Sequence, residues 1–288
     1  MLPYSKSRKA GADAVYIRQR ARRLGECAKT LSTAASPALL ATILMRSIET
    51  KWGRRMKVLN RLASALHHRD ETPNQKLAQE IATTANGAAV KELVDNLSNK
   101  DKNIQSDCIK VLYEVGERRP ELISDYCESF GVLLQSENNR LVWGGMTALD
   151  WIASVNPVGV LNLVPQIVET AKSGSVIARD HAVGILIKLA AVKREFSVKC
   201  FSLLLEQLRE CPNNQFPMYV EASSSIIDET NRNAFVKVLT GRLGGLEKDS
   251  QKRRVKKVLH ALDAWKRVGT SCGSEVTVTQ AIGCKSLK

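Results

Sequence analysis

Residues 99–116 read NKDKNIQSDCIKVLYEVG, residues 137–153 read ENNRLVWGGMTALDWIA, and residues 173–190 read SGSVIARDHAVGILIKLA. Each passes from a polar turn into a run whose apolar residues fall at helical spacing. Counted from Ile104, Leu141 and Ile177, positions 0, +5 and +8 hold Ile104, Ile109 and Leu112, then Leu141, Met146 and Leu149, then Ile177, Ala182 and Ile185. Position +4 holds Cys108, Gly145 and His181. The starts lie 37 and 36 residues apart. A recurrence of that length marks stacked supersecondary units, because one unit cannot bury its apolar face alone and its neighbours must cover it.

Working outward, helix-length apolar segments alternate with short polar, Pro or Gly breaks. Five pairs are predicted: 88–97 with 102–117, 121–135 with 139–155, 157–172 with 176–192, 195–210 with 216–228, and 232–246 with 250–268. Pro165 predicts a kink in its helix. Pro217 and the weak helix formers Ser223, Ser224 and Ser225 set the fourth unit apart. In the last helix Val255, Val258, Leu259, Leu262 and Trp265 share a face, with Lys252, Arg253, Lys256 and Lys257 towards the other. That polar outer face suits a terminal unit with no neighbour to bury against. Ahead of the repeats, 56–66 and 76–83 read as short helices. Residues 69–74, with Pro73, separate them, and Asn86-Gly87 stops the second.

The chain has 288 residues, 44% hydrophobic but only 5% aromatic, which suits close packing of helices by Ala, Leu, Val and Ile. No run of 18 apolar residues occurs, so no membrane span is expected. The formal net charge is +14, and most of it is terminal. Residues 1–55 hold 12 Lys and Arg against three acidic residues, residues 269–288 add +1, and residues 56–268 carry only +4. Residues 1–55 thus read as a basic, poorly ordered segment with three open readings: a targeting segment, an arm for an anionic partner such as nucleic acid, or a stretch ahead of a true start at Met56. Residues 56–268 read as the folded body and 269–288 as a disordered tail. The seven cysteines form no C-x-x-C pair and read as free thiols of a reducing compartment, which places the chain in the cytoplasm.

Helix, polar turn, helix, repeated at this period, resembles the HEAT-repeat family over roughly residues 88–268. In that family the polar turn leads into a helix with a basic residue near its start. Lys102, Arg140 and Arg179 fall near that place in differing registers, and the fourth unit departs from the pattern. The resemblance implies an all-α fold, a right-handed α-solenoid of stacked antiparallel helix pairs. It also implies a non-enzymatic scaffold whose second helices line a concave face that binds a protein or peptide.

No P-loop, G-x-G-x-x-G, zinc-spaced Cys/His set or G-x-S-x-G is present, so no cofactor or metal is expected. His67-His68 reads as surface and His181 as a hydrogen-bonded core histidine. Gly144-Gly145 inside a helix reads as close helix approach. On the 0, +4, +5, +8 template, positions +3, +6 and +10 point away from the core. In the second and third runs these are Gly144, Thr147 and Trp151, then Asp180, Val183 and Ile187, with Trp143 and Arg179 beside them. Trp143, Thr147, Trp151, Arg179, Asp180, Val183 and Ile187 are therefore the candidate partner-binding set, with Trp151 as anchor and Arg179 as a cation at the mouth. The alternative is a nucleic-acid-binding solenoid. A few HEAT-like solenoids are DNA glycosylases with concave Trp, Asp and Arg, the residue types of Trp143, Asp150, Trp151 and Arg179. These four match no motif of that family, and no catalytic role is carried over.

Overall fold

Asp101, Asn138 and Ser175 each accept a backbone N–H with the side chain and so open three helices. Short polar side chains at this position satisfy amides that the first helical turn leaves unbonded. The three caps stand 37 residues apart each time, and they set the register of the stack.

The computed structural model describes residues 58–269, with side chains as far as Ala264. The expectations for residues 1–55, for the 270–288 tail and for the Trp265 side chain lie outside the described residues. Within them α1 spans Thr72–Thr84, and five helix pairs follow. These are α2 (Gly87–Asp95) with α3 (Lys102–Arg118), α4 (Cys127–Leu133) with α5 (Asn139–Ile152), α6 (Pro157–Ser173) with α7 (Val176–Val192), α8 (Arg194–Glu210) with α9 (Phe216–Ser223), and α10 (Arg232–Leu243) with α11 (Asp249–Gly269). The second helices form one row in which α1, α3, α5, α7, α9 and α11 each pack on the next. The first helices lie outside that row, α4 against α6 and α8 against α10. One continuous apolar core runs from Leu62 to Leu262. The architecture is an all-α solenoid. Among the described residues no helix is long and apolar enough to cross a membrane.

The caps correct the sequence register in one place. Counted from Ser175, the residue equivalent to Ile104 and Leu141 is Ala178 and not Ile177. Ala182, Val183 and Leu186 then match Cys108, Ile109 and Leu112, and all six are buried. Val183, expected on the open face, is only 2% exposed, whereas Ile177, expected in the core, is 43% exposed. One residue of slip turns a helix by 100° and exchanges such neighbours. Apolar pattern cannot fix the register of α7, which is apolar nearly all round, being packed by α5, α6, α8 and α9, and has no polar stripe to set its orientation.

Other boundaries shift for local reasons. Pro73 sits in the first turn of α1, where its missing N–H costs nothing, and does not break the chain there. The 56–66 helix is, in its described part, a single 3-10 turn at Val58–Arg61. The expected 121–135 helix divides into two 3-10 turns, Pro120–Leu122 and Ser124–Tyr126, and then α4. There Ile123 is fully buried and packs where Gly116 has no side chain. The expected 216–228 helix tightens to 3-10 after Ser223, as the Ser223 and Ser224 hydroxyls donate back to the Tyr219 and Glu221 carbonyls. Helix α6 continues through Pro165 to Ser173.

Candidate functional site

In the corrected register the open face of the second-helix row can be read position by position. One place before the template start stand Asn103, Arg140 and Ile177. Two places after it stand Ser106, Trp143 and Asp180; at +3, Asp107, Gly144 and His181; at +6, Lys110, Thr147 and Gly184; at +10, Glu114, Trp151 and Lys188. Two things are built on this face, a ladder of polar ties between successive repeats and a groove.

The ladder starts where Asp107 accepts from Asn74 Nδ2 and the Ser64 amide, both at 2.7 Å. Lys110 lies 2.8 Å from Glu71 and 3.0 Å from Glu114, and Glu114 also binds Arg118 at 2.8 Å. Burial works against the Lys110 charge, but its bonds to Glu71, Tyr113 and Glu114 prevail and raise its pKa. Burial likewise opposes the Glu114 charge, yet the Arg118 and Lys110 bonds hold its carboxyl below the ordinary value. Between α5 and α7, His181 Nδ1 lies 3.0 Å from Asp150 Oδ2, and Nε2 lies 2.9 Å from Thr147 Oγ1. Lys188 donates to Asp150 Oδ1 and to the Asp150 carbonyl, each at 2.9 Å, and its ammonium stands 5.1 Å from the Trp151 ring centre. Further along, Tyr219 and Gln215 donate to Asp180 at 2.6 and 3.2 Å. Burial and the Asp180 carboxylate both push the Tyr219 phenol up. Arg254 pairs with Glu221.

Thr147, His181 and Asp150 are connected in the order nucleophile, base, orienter. Acyl transfer at such a row also needs donors aimed at a developing oxyanion. The amides around Thr147 lie inside α5, where the backbone N–H groups bond the preceding turn. Thr147 Oγ1 itself donates to the Trp143 carbonyl at 2.8 Å. The arrangement thus ties two helices together.

The groove has a volume of about 290 Å³ and crosses the N-terminal halves of α3 and α5 to reach the start of α7. Ile109 and Gly144 lie in it, with Tyr113, Trp143 and Thr147 alongside, Arg140 and Ile177 towards α7, and Lys110 and Glu71 at the α1 end. A Cβ on Gly144 would run into the Ile109 side chain, so the helices approach closely there. Trp143 is 36% exposed, and Arg140 is exposed with no ion pair among the described residues.

Of the seven residues singled out from sequence, the groove takes Trp143 and Thr147. Trp151, read as the anchor, is half-buried, its Cβ close to the position of Gly116 and its ring beside Lys188, so it belongs to the ladder. Asp180 is likewise a ladder residue. Arg179 has its Nε tied to the Ala171 carbonyl at the end of α6 and does not line the groove. Val183 is core, and Ile187 is half-buried against that core. Sequence reading missed Tyr113, Arg140 and Ile177, although the caps would have placed Arg140 and Ile177 at one position. Cys108, Cys127, Cys200 and Cys211 are free and buried. Burial pushes the first three thiols up to about 12, 11 and 11, which keeps them from acting as thiolates. Cys27, Cys272 and Cys284 lie outside the described residues.

No protein-family model and no curated protein matches the chain. Solved structures resemble it in fold. An engineered protein superposes with a TM-score of 0.50 at 18% identity, covering 73% of this chain and 100% of its own. A computationally designed armadillo repeat protein for modular peptide recognition gives 0.50 at 14% identity, covering 70% and 97%. A designed armadillo repeat protein in complex with the peptide (KR)4 gives 0.51 at 14% identity, covering 71% and 98%. The fold is thus that of an armadillo-like repeat solenoid.

Proposed function

We propose that the protein is a repeat scaffold that binds a protein partner through a peptide segment laid across α3, α5 and α7. The observation that carries this reading is the groove, where, among the described residues, Trp143 and Ile177 keep large apolar surfaces exposed beside an Arg140 that makes no ion pair. An exposed Trp with an aliphatic neighbour and an Arg is the composition of an interface anchor. Elsewhere on the same face the polar groups are spent on one another in the ladder. Two designed neighbours described by peptide recognition support the fold's capacity for such a ligand. The expected occupant is an extended segment, since stacked helices about 8–10 Å apart are spanned by about three extended residues.

The nucleic-acid alternative rests on residues 1–55, outside the described residues, and on the concave set Trp143, Asp150, Trp151 and Arg179, of which Asp150 holds His181 and Lys188, Trp151 lies beside Lys188, and Arg179 bonds the Ala171 carbonyl. Exposed cations among the described residues are spread along the chain, with a cluster on α11 at Arg253, Lys256 and Lys257 and others at Lys100 and Lys102 by the start of α3. Panning a displayed random-peptide library on the full chain, with Trp143→Ala as counter-selection, tests the reading. Peptides that enrich on the parent chain and are lost on the variant support it. Peptides that bind both equally, or no enrichment, overturn it.

A further inference from the structure

The charges around the groove go further and select the partner. We infer that the segment it accepts carries an acidic side chain next to a large apolar one, with the carboxylate on Arg140 and the apolar group between Trp143 and Ile177. This rests on the groove being a peptide site, as proposed above.

Three charged residues line the groove: Glu71, Lys110 and Arg140. Glu71 and Lys110 are 2.8 Å apart, and Lys110 also holds Glu114 at 3.0 Å. With its side chain only 14% exposed, Lys110 is committed to these carboxylates and offers no charge to a ligand. Arg140 differs: it is exposed at the start of α5 with no ion pair among the described residues. Among the described residues the groove therefore presents one charge without an ion pair, and it is positive. A planar guanidinium binds a carboxylate through two parallel bonds.

The neighbouring geometry sets what stands beside that carboxylate. Arg140 and Trp143 are three residues apart on one helix and so share a face. Ile177 occupies the place on α7 that Arg140 occupies on α5, one repeat along. A ligand carboxylate on Arg140 thus has the indole one turn away along α5 and the isoleucine one helix away across the row. At about 290 Å³ the groove lies near the lower end of ligand pockets, which suits one or two side chains. A basic segment would set its cations against Arg140, with Glu71 and Glu114 already satisfied.

The test uses the full chain and two labelled octapeptides of equal apolar content, (Glu-Leu)4 and (Lys-Leu)4, read by fluorescence polarisation. The expected result is at least tenfold tighter binding of (Glu-Leu)4, lost in Trp143→Ala and reversed in Arg140→Glu, with Arg140→Gln abolishing the preference without reversing it. Both side chains are surface-exposed, and unchanged thermal melts will show that the variants fold. The affinity that Trp143→Ala removes is the part that reports on the groove, whatever basic residues elsewhere contribute. If the two peptides bind alike and both depend on Trp143, the charge selection is wrong while the peptide-scaffold reading stands. If neither binds, or Trp143→Ala changes nothing, both readings fall. Binding of an eight-nucleotide oligothymidylate that disappears in Arg140→Glu would assign Arg140 to phosphate and overturn the acidic segment.

Discussion

His181 on α7 holds two residues of α5 at once, Asp150 at Nδ1 and Thr147 at Nε2, at 3.0 and 2.9 Å. A carboxylate only accepts, so the Asp150 contact calls for a proton on Nδ1. Gly184 makes room for this, since a Cβ there would stand 2.9 Å from Asp150 Oδ1. Groups sharing such a network couple energetically. His181→Ala and Asp150→Asn are each expected to cost about 1–3 kcal/mol, the range for leaving a partly buried partner unpaired. In a double-mutant cycle followed by urea unfolding they should show a coupling of at least about 0.5 kcal/mol. Strict additivity would mean that the ring and the carboxylate only sit near each other.

Two helical glycines should respond in opposite directions. Gly144→Ala gains helix propensity, about 1 kcal/mol, but forces a methyl onto Ile109, whose Cβ and branch atoms cannot swing away like the tip of a long side chain. A net loss of about 1–2 kcal/mol is expected. Gly241, in α10, has nothing within 4 Å of its added Cβ, so Gly241→Ala should stabilise by up to about 1 kcal/mol. Equal effects of either sign in denaturant melts would contradict the close α3–α5 approach.

Much of the solenoid was legible because α3 and α5 are amphipathic: Ile109, Leu112, Met146 and Leu149 had to share a buried stripe, and they do. The face of α7 was not legible from apolar pattern, since a helix packed on four sides carries Ile, Leu and Val all round. Its orientation was written in Ser175, the cap, and the 37-residue spacing of Asp101, Asn138 and Ser175 decides between Ile177 and Ala178. The site suffered most from that slip, which placed Val183 outward and Ile177 inward. Lys188, which draws Trp151 into the ladder, and Asp150, which holds His181, are side-chain partners across repeats, and single-helix periodicity carries no such information.

Glu114 gives a pH signature. Its carboxyl is held below the ordinary 4.5, burial opposing and the Arg118 and Lys110 bonds prevailing. A depressed folded-state pKa contributes stability that is present above the unfolded value and is lost as pH falls through the folded one. Glu114→Gln should therefore cost about 1–3 kcal/mol at pH 7, and the gap from the parent chain should close below about pH 4.5. Urea unfolding at pH 7 and pH 3.5 measures it. A difference that does not change with pH would exclude an ionic contribution at this position.

Trp151 and Trp143, eight residues apart on α5, separate folding from recognition. Trp151 is half-buried, its Cβ beside Gly116 and its ring beside the Lys188 ammonium, so its removal takes packing from the α3–α5 contact and the ring from its cation. Trp151→Ala should cost roughly 2–4 kcal/mol, somewhat less than truncation of a fully buried aromatic. Trp143 contributes a carbonyl to Thr147, which any residue supplies, while its ring lies in the groove. Trp143→Ala should then change stability by less than about 1 kcal/mol. Chemical denaturation of the two variants beside the parent chain decides the matter. A stable Trp151→Ala with an unfolded Trp143→Ala would exchange the roles assigned to the two indoles, and the groove would lose its anchor.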